Sequence, residues 1–453
     1  MRGKRPINAD LPLALREGPA PPEPPRASDI DPAPGGSKSD GRRQRRRRHP
    51  VPGALKGVAV LVAFAIVFLV AAVLGGGGGT NRRTQQASPT ASPAPSAEQA
   101  TPTAEAAEAL GFPSVATDNT TRVGGSEPAA TAAAVALAVY PSRTPAQRPA
   151  AVTLVDEGDW QGAVAAAVLM ASPVRAPLLV TDGGDVPDAT SQALEALAPT
   201  GAAATGGAQA FAIGAAARPD GLRTAAAQGD SPAAVAASAA ALRERLAGEP
   251  PQHIVLAPQA SPEFAAPAAA WAARSGDPVL FTGPAKLPPA TARVLERHSR
   301  VPVYVLGPSS AISSDVSRAV AKVGNPVHRV AAEDPVENAI AFARYSNGSF
   351  GWNVNDPGHG FVLARSDAPL DAALAAPLSA SGTWGPLLLT DDPDTLPKAV
   401  REYMLDVKPG YTTDPTRAFY NHVWVIGDQE AIGVGQQAEI DQLAELTRIG
   451  GER

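Results

Sequence analysis

One module recurs three times in this chain, and that repetition limits what it can fold into more than any single motif does. Each copy begins with a short apolar run: Val152-Thr153-Leu154-Val155, then His253-Ile254-Val255-Leu256-Ala257, then Gly360-Phe361-Val362-Leu363-Ala364. An Ala-rich helical stretch follows. A second apolar run then opens with Pro: Pro177-Leu178-Leu179-Val180-Thr181, Pro278-Val279-Leu280-Phe281-Thr282 and Pro386-Leu387-Leu388-Leu389-Thr390. Its prolines lie 101 and 108 residues apart. A Pro-started helix comes next, at Val186-Pro187, Leu287-Pro288 and Leu396-Pro397. The fixed φ and missing N–H of Pro suit the first helical turn. A third run ends on Gly in every copy, at Gly214, Gly307 and Gly427. Short, continuous apolar strands alternating with helices predict parallel sheets covered on both faces.

A further element precedes the modules. It reads Arg122-Val123-Gly124-Gly125-Ser126-Glu127-Pro128 before the first and Arg329-Val330-Ala331-Ala332-Glu333-Asp334-Pro335 before the third. The second copy is looser, with Arg223-Thr224 and then Ser231-Pro232. Counting these openings with the modules they precede gives repeat 1 at 116–220, repeat 2 at 221–326 and repeat 3 at 327–453.

The net charge of −5 hides an asymmetry. Residues 1–79 carry 13 Lys/Arg against 6 Asp/Glu, which leaves the remainder at −12 and excludes a uniformly basic nucleic-acid binder. The basic end contains Arg42-Arg43-Gln44-Arg45-Arg46-Arg47-Arg48, followed by an apolar stretch over 51–74 whose only charge is Lys56. About 20 apolar residues span a bilayer as a helix. Six Arg before the stretch outweigh Arg82 and Arg83 after it, so the tail (1–50) is expected in the cytoplasm and the body outside. The tail reads as disordered. Residues 75–115 read as a Gly joint followed by a Pro/Ser/Thr/Ala spacer. The absence of Cys excludes a disulfide scaffold, a Cys-ligated metal and a thiol nucleophile.

The repeats resemble the cell wall-binding repeat 2 family of bacterial surface proteins. The resemblance runs over roughly 120–445 and is carried by Tyr304-Val305-Leu306-Gly307-Pro308, by Leu370-Asp371-Ala372-Ala373-Leu374 and by Gly385–Thr390. It implies three repeats packed together that hold a protein on the wall through an anionic polymer. Carried over by position, the polymer would meet Arg122, Arg223 and Arg329. The loops at Gly214, Gly307 and Gly427 should lie at the carboxyl ends of parallel strands, where α/β proteins commonly bind ligands. The family's second opening Arg is replaced by Pro128, Pro232 and Pro335. Bidentate anion recognition therefore loses one guanidinium in every repeat.

Other positions read more plainly. Asp182 and Asp391-Asp392 follow the second strands and suit either a bound cation or, more commonly, helix capping. Glu127, Glu333 and Asp334 sit beside helix-starting prolines as dipole partners. The insertions Ser346–Gly360 and Tyr411–His422 read as structured loops, the second rich in aromatics. Asn119-Thr120-Thr121 and Asn347-Gly348-Ser349 match the glycosylation sequon, a pattern expected by chance in a chain this long. No G-x-S-x-G, H-E-x-x-H or P-loop pattern occurs, and the six His are scattered singly.

The sequence thus predicts an α/β protein: three tandem parallel-sheet repeat modules outside a single N-terminal transmembrane helix. The expected role is non-catalytic, with no cofactor or metal. The partner is an anionic cell-wall polymer or, on a second reading, an envelope protein docked on the same repeats. An envelope hydrolase is the third reading.

Overall fold

The computed structural model describes residues 116–449 apart from Thr383. The expected tail, membrane span at 51–74 and linker all lie outside the described residues. Among the described residues, no helix is long and apolar enough to cross a membrane.

The strands in chain order begin with β1 (Thr120–Val123), β2 (Val152–Asp156), β3 (Leu178–Thr181), β4 (Ala210–Ile213) and β5 (Thr224–Ala227). Next come β6 (Ile254–Pro258), β7 (Val279–Thr282), β8 (Val303–Leu306) and β9 (Val327–Val330). The last are β10 (Gly360–Arg365), β11 (Leu387–Thr390), β12 (Gly410–Tyr411), β13 (His422–Ile426) and β14 (Thr447–Arg448). They form three four-stranded parallel sheets, in the orders β3-β2-β4-β5, β7-β6-β8-β9 and β1-β13-β10-β11. A short parallel pair, β12 with β14, stands apart. Each repeat's three apolar runs are thus three strands of one sheet, buried along nearly their whole length, as expected for a sheet covered on both faces.

The fourth strand of each sheet comes from elsewhere. β5 opens repeat 2 by sequence but pairs with β4 of repeat 1. β9 opens repeat 3 and pairs with β8 of repeat 2. β1 opens repeat 1 and pairs with β13 of repeat 3. Strand exchange therefore runs in a closed cycle, and the sequence boundaries at 220/221 and 326/327 fall between hydrogen-bonded strands.

Helices with Pro in the first turn begin at Pro128, Pro232, Pro289 and Pro335. Asp334 caps the last of these by accepting from the N–H groups of Val336 and Glu337. The helical segments that follow β2, β6 and β10 (Trp160–Met170, Pro262–Ser275 and Pro369–Ser379) pack on one another. Their facing residues are largely Ala, fully buried at Ala163, Ala165–Ala167, Ala268–Ala270 and Ala372–Ala376. A side chain of one methyl lets helix axes approach closely, so this junction is built from backbone proximity more than from large side chains. Thr190 and Thr291, at matching places in two repeats, donate to the carbonyls of Val180 and Phe281 at 2.6 and 2.7 Å and tie helix to strand. Repeat 3 has buried Val400 there and replaces the bond with apolar contact.

Candidate functional site

The arginines expected to meet a polymer are engaged by the fold. Arg122 is 0% exposed. Its guanidinium donates to Gln437 Oε1 (3.2 and 2.9 Å) and to the carbonyls of Gly427, Asp428 and Ile432. Arg329 does the same one sheet earlier, donating to Gly307 O at 2.7 Å, Ile312 O at 2.8 Å and Ser317 Oγ at 3.0 Å. Each arginine sits third in its strand, opposite Val425 or Val305, and straps the loop that follows the neighbouring strand. Burial lowers the pKa of both guanidiniums.

Arg223 does not belong to this set. The register places Ala226 opposite Ala212, so Ala226 holds the position that Arg122 and Arg329 occupy in the other sheets. Arg223 lies three residues earlier, exposed, and donates to Gly207 O at 2.9 Å. Gly214, Gly307 and Gly427 end their strands at φ of 60, 114 and 94° and extend the ladders by donating to Ala227, Val330 and Val123. The carboxyl-end loops of two sheets are thus filled by arginine and its carbonyl partners.

A cavity of about 410 Å³ lies instead at the amino ends of β6 and β7. Five parts of the chain build it, the end of the helix Pro289–Arg297 among them. Arg243 comes from the helix Pro232–Ala247, and Trp271 and Arg274 from Pro267–Ser275. His253 immediately precedes β6, and Asp277 stands two residues before β7. The insertion before β10 adds Ser349 and Trp352, and Trp384 stands ahead of β11. Three of the chain's five Trp therefore meet at one place.

At the cavity wall, His253, Asp277 and Ser349 form a hydrogen-bonded line. Asp277 is 4% exposed. Its Oδ1 accepts from the His253 backbone N–H at 3.2 Å, and its Oδ2 from the Trp271 indole N–H at 2.9 Å. His253 Nδ1 lies 3.1 Å from the same Oδ2, and His253 Nε2 lies 3.1 Å from Ser349 Oγ. A carboxylate only accepts, so Nδ1 carries the proton and Nε2 is left to accept from the serine hydroxyl. The edges of Tyr304 and Phe350 confine the imidazole, with ring centroids at 5.8 and 5.5 Å.

Donors left over on this wall face no acceptor. Arg243 is 7% exposed, and its Nη2 donates to Ser172 O at 2.6 Å. Among the described residues, its Nε and Nη1 are buried without partners, as is Trp352 Nε1. Burial lowers the pKa of Arg243 against the opposing pull of Glu249 and Asp277. The Arg274 guanidinium lies over the Trp384 ring at 4.2 Å. Sequence reasoning missed this group because His253, Asp277 and Ser349 are 24 and 96 positions apart and belong to no local motif. The one available hint was Trp352, in an insertion that interrupts the repeat.

Comparison with solved structures finds a similar fold in Cwp6 from Clostridium difficile, with a TM-score of 0.58 at 17% identity over 72% of this chain and 48% of that one. Cwp8 from Clostridium difficile is also similar, with a TM-score of 0.54 at 18% identity over 72% of this chain and 52% of that one. The chain spans about half the length of each. At these identities the likeness is one of fold. No family model matches the sequence, and no curated protein matches it either.

Proposed function

We propose that this chain is an extracytoplasmic surface protein that associates with the cell wall by binding an anionic envelope polymer, anchored by a membrane helix at 51–74. The observation that carries this reading is the fold likeness, over 72% of the chain, to Cwp6 and Cwp8, two cell wall proteins. The order of motifs in the three repeats supports it independently. Arg122 and Arg329 are spent on the fold, so exposed cations such as Arg223, Arg274 and Arg297 are left to face a polymer. Docking of an envelope protein on the same surface is the competing reading.

The test is co-sedimentation of the full chain, in mild detergent, with purified walls before and after chemical removal of anionic polymers. Retention that stripping abolishes, and that weakens when Arg223, Arg274 and Arg297 are all changed to Gln, supports polymer binding. Equal retention on stripped walls, or none on either, overturns it.

A further inference from the structure

We propose that Ser349, His253 and Asp277 form a nucleophilic triad that hydrolyses acyl esters, and that the adjoining cavity selects esters carried on an anionic sugar. This goes beyond wall association, which needs no bond to break. Only the identification of wall polymer as the source of the ester rests on that earlier reading.

A triad is recognised by roles and distances, whatever the chain order. Here the nucleophile–base and base–carboxylate separations are both 3.1 Å. A histidine that merely satisfies a core needs one partner. This imidazole has a buried carboxylate on one nitrogen and an exposed hydroxyl on the other. Four further contacts fix the parts. The Trp271 indole and the His253 backbone N–H hold the Asp277 carboxylate, and Phe350 and Tyr304 hold the ring. Ser349 sits on a turn closed by mutual backbone bonds between Asn347 and Phe350, with Gly348 at φ 63°. That turn presents the hydroxyl outward, where a substrate can reach it.

The chemistry balances with water as the only co-reactant. Ser349 Oγ attacks the acyl carbon as its proton passes to His253 Nε2, while Asp277 steadies the imidazolium through Nδ1–H. The bond to the sugar oxygen breaks, and that oxygen leaves with the proton held by His253. Water then attacks the acyl-serine, gives one proton to His253, and releases the acid. The proton returns to Ser349. Asp277 is a positioning residue in this scheme. The Gly351 N–H, two residues beyond the nucleophile, makes no hydrogen bond among the described residues and is free to meet a developing oxyanion. Glu244 and Glu249 line the cavity beside Arg243, Arg274 and Arg297. At the wall where Arg274 lies, the unpartnered Arg243 and Trp352 donors call for a ligand rich in acceptors and negatively charged. Tryptophan walls suit the apolar face of a sugar ring.

The experiment treats the full chain, in mild detergent, with a fluorophosphonate that traps activated serines, and maps the adduct by mass spectrometry. The expected adduct is on Ser349, absent in Ser349→Ala. It should form roughly a hundredfold more slowly in His253→Gln, as loss of a general base requires. Its rate in the unmodified protein should follow a single imidazole ionisation with pH, a dependence that a structural hydrogen bond would not produce. Ser349 is exposed, so Ser349→Ala should keep its thermal midpoint. Acetate release from O-acetylated glucuronic acid should exceed that from O-acetylated glucose about tenfold, and Arg274→Gln should erase the difference. No adduct on Ser349, or equal labelling of His253→Gln, overturns the triad. Equal rates on the two sugars overturn the anionic selectivity. Wall retention is a separate readout, so failure there leaves this result intact.

Discussion

Arg122 and Gln437 stand 315 positions apart in the chain, and two hydrogen bonds join their side chains inside the protein. The arginine belongs to the first strand of the body and the glutamine to its last helix, Val434–Ala444. This contact fastens the two ends of the strand-exchange cycle. Arg122→Ala leaves the carbonyls of Gly427, Asp428 and Ile432 buried without that donor. The expected cost is about 3 kcal/mol or more, read from urea unfolding of the full chain. Arg122→Lys should recover little, because one ammonium cannot span a fork of acceptors.

The register assignment separates the two remaining opening arginines. Arg329→Ala should cost about 2 kcal/mol, because it strips a half-buried loop of its donor. Arg223→Ala removes one exposed bond and should cost under about 0.5 kcal/mol. Equal effects in the same unfolding assay would contradict the alignment of Ala226 with Arg122 and Arg329.

Two half-buried groups should pull stability in opposite directions below neutral pH. Burial, aided by Asp428 and Glu157, pushes the Asp371 carboxyl up to about 6 from 3.8. Unfolding frees it to ionise, so its contribution is lost as pH rises from about 4 through 6. Burial lowers His422 to about 4 from 6.5. The unfolded imidazole takes up a proton first, so this contribution is lost as pH falls from about 6.5 through 4. Each is worth roughly 3 kcal/mol at its limit. Asp371→Asn should therefore make stability climb more steeply with pH across this window. His422→Phe keeps an aromatic edge toward Trp424 and should make stability decline instead. Thermal midpoints at pH 4.5 and 6.5 decide it.

A methyl group is tolerated very unequally at two glycines. A Cβ on Gly385 would sit 1.7 Å from the carbonyl oxygen of Gly360, at the start of the β10–β11 pair. Gly385→Ala should cost on the order of 4 kcal/mol or prevent folding. Gly183, at φ 56° with nothing near it, should lose about 1 kcal/mol on the same change. Unfolding midpoints of the two variants give the comparison.

The strands were legible because their cue is local. Pro177, Pro278 and Pro386 each announce an apolar run, and the structure starts a strand right after each. Partnership was not legible. Thr120–Val123 says nothing of a mate some 300 residues away, and the natural grouping assigned it to the module it precedes. Arg223 matched its fellows as a letter, but pairing register, which local sequence does not encode, assigned the position to Ala226. Arg122 and Arg329 were found, but their engagement by the fold was not foreseen, for one reason: a guanidinium suited to phosphate oxygens suits backbone carbonyls equally well. The cavity drew on residues from five separate segments, and ligand expectations centred on strand carboxyl ends had no cause to look at His253.

The pairing of β1 with β13 also has a consequence in time. β1 leaves the ribosome first, while its partner is completed about 300 residues later, roughly 15 to 60 s at ordinary synthesis rates. For that interval the nascent chain carries an unmated strand and an arginine with no carbonyls to meet. A chain cut short anywhere before β13 never resolves either one. Completion of the last sheet is therefore also a proofreading step, passed only by a polypeptide in which β13 has been translated.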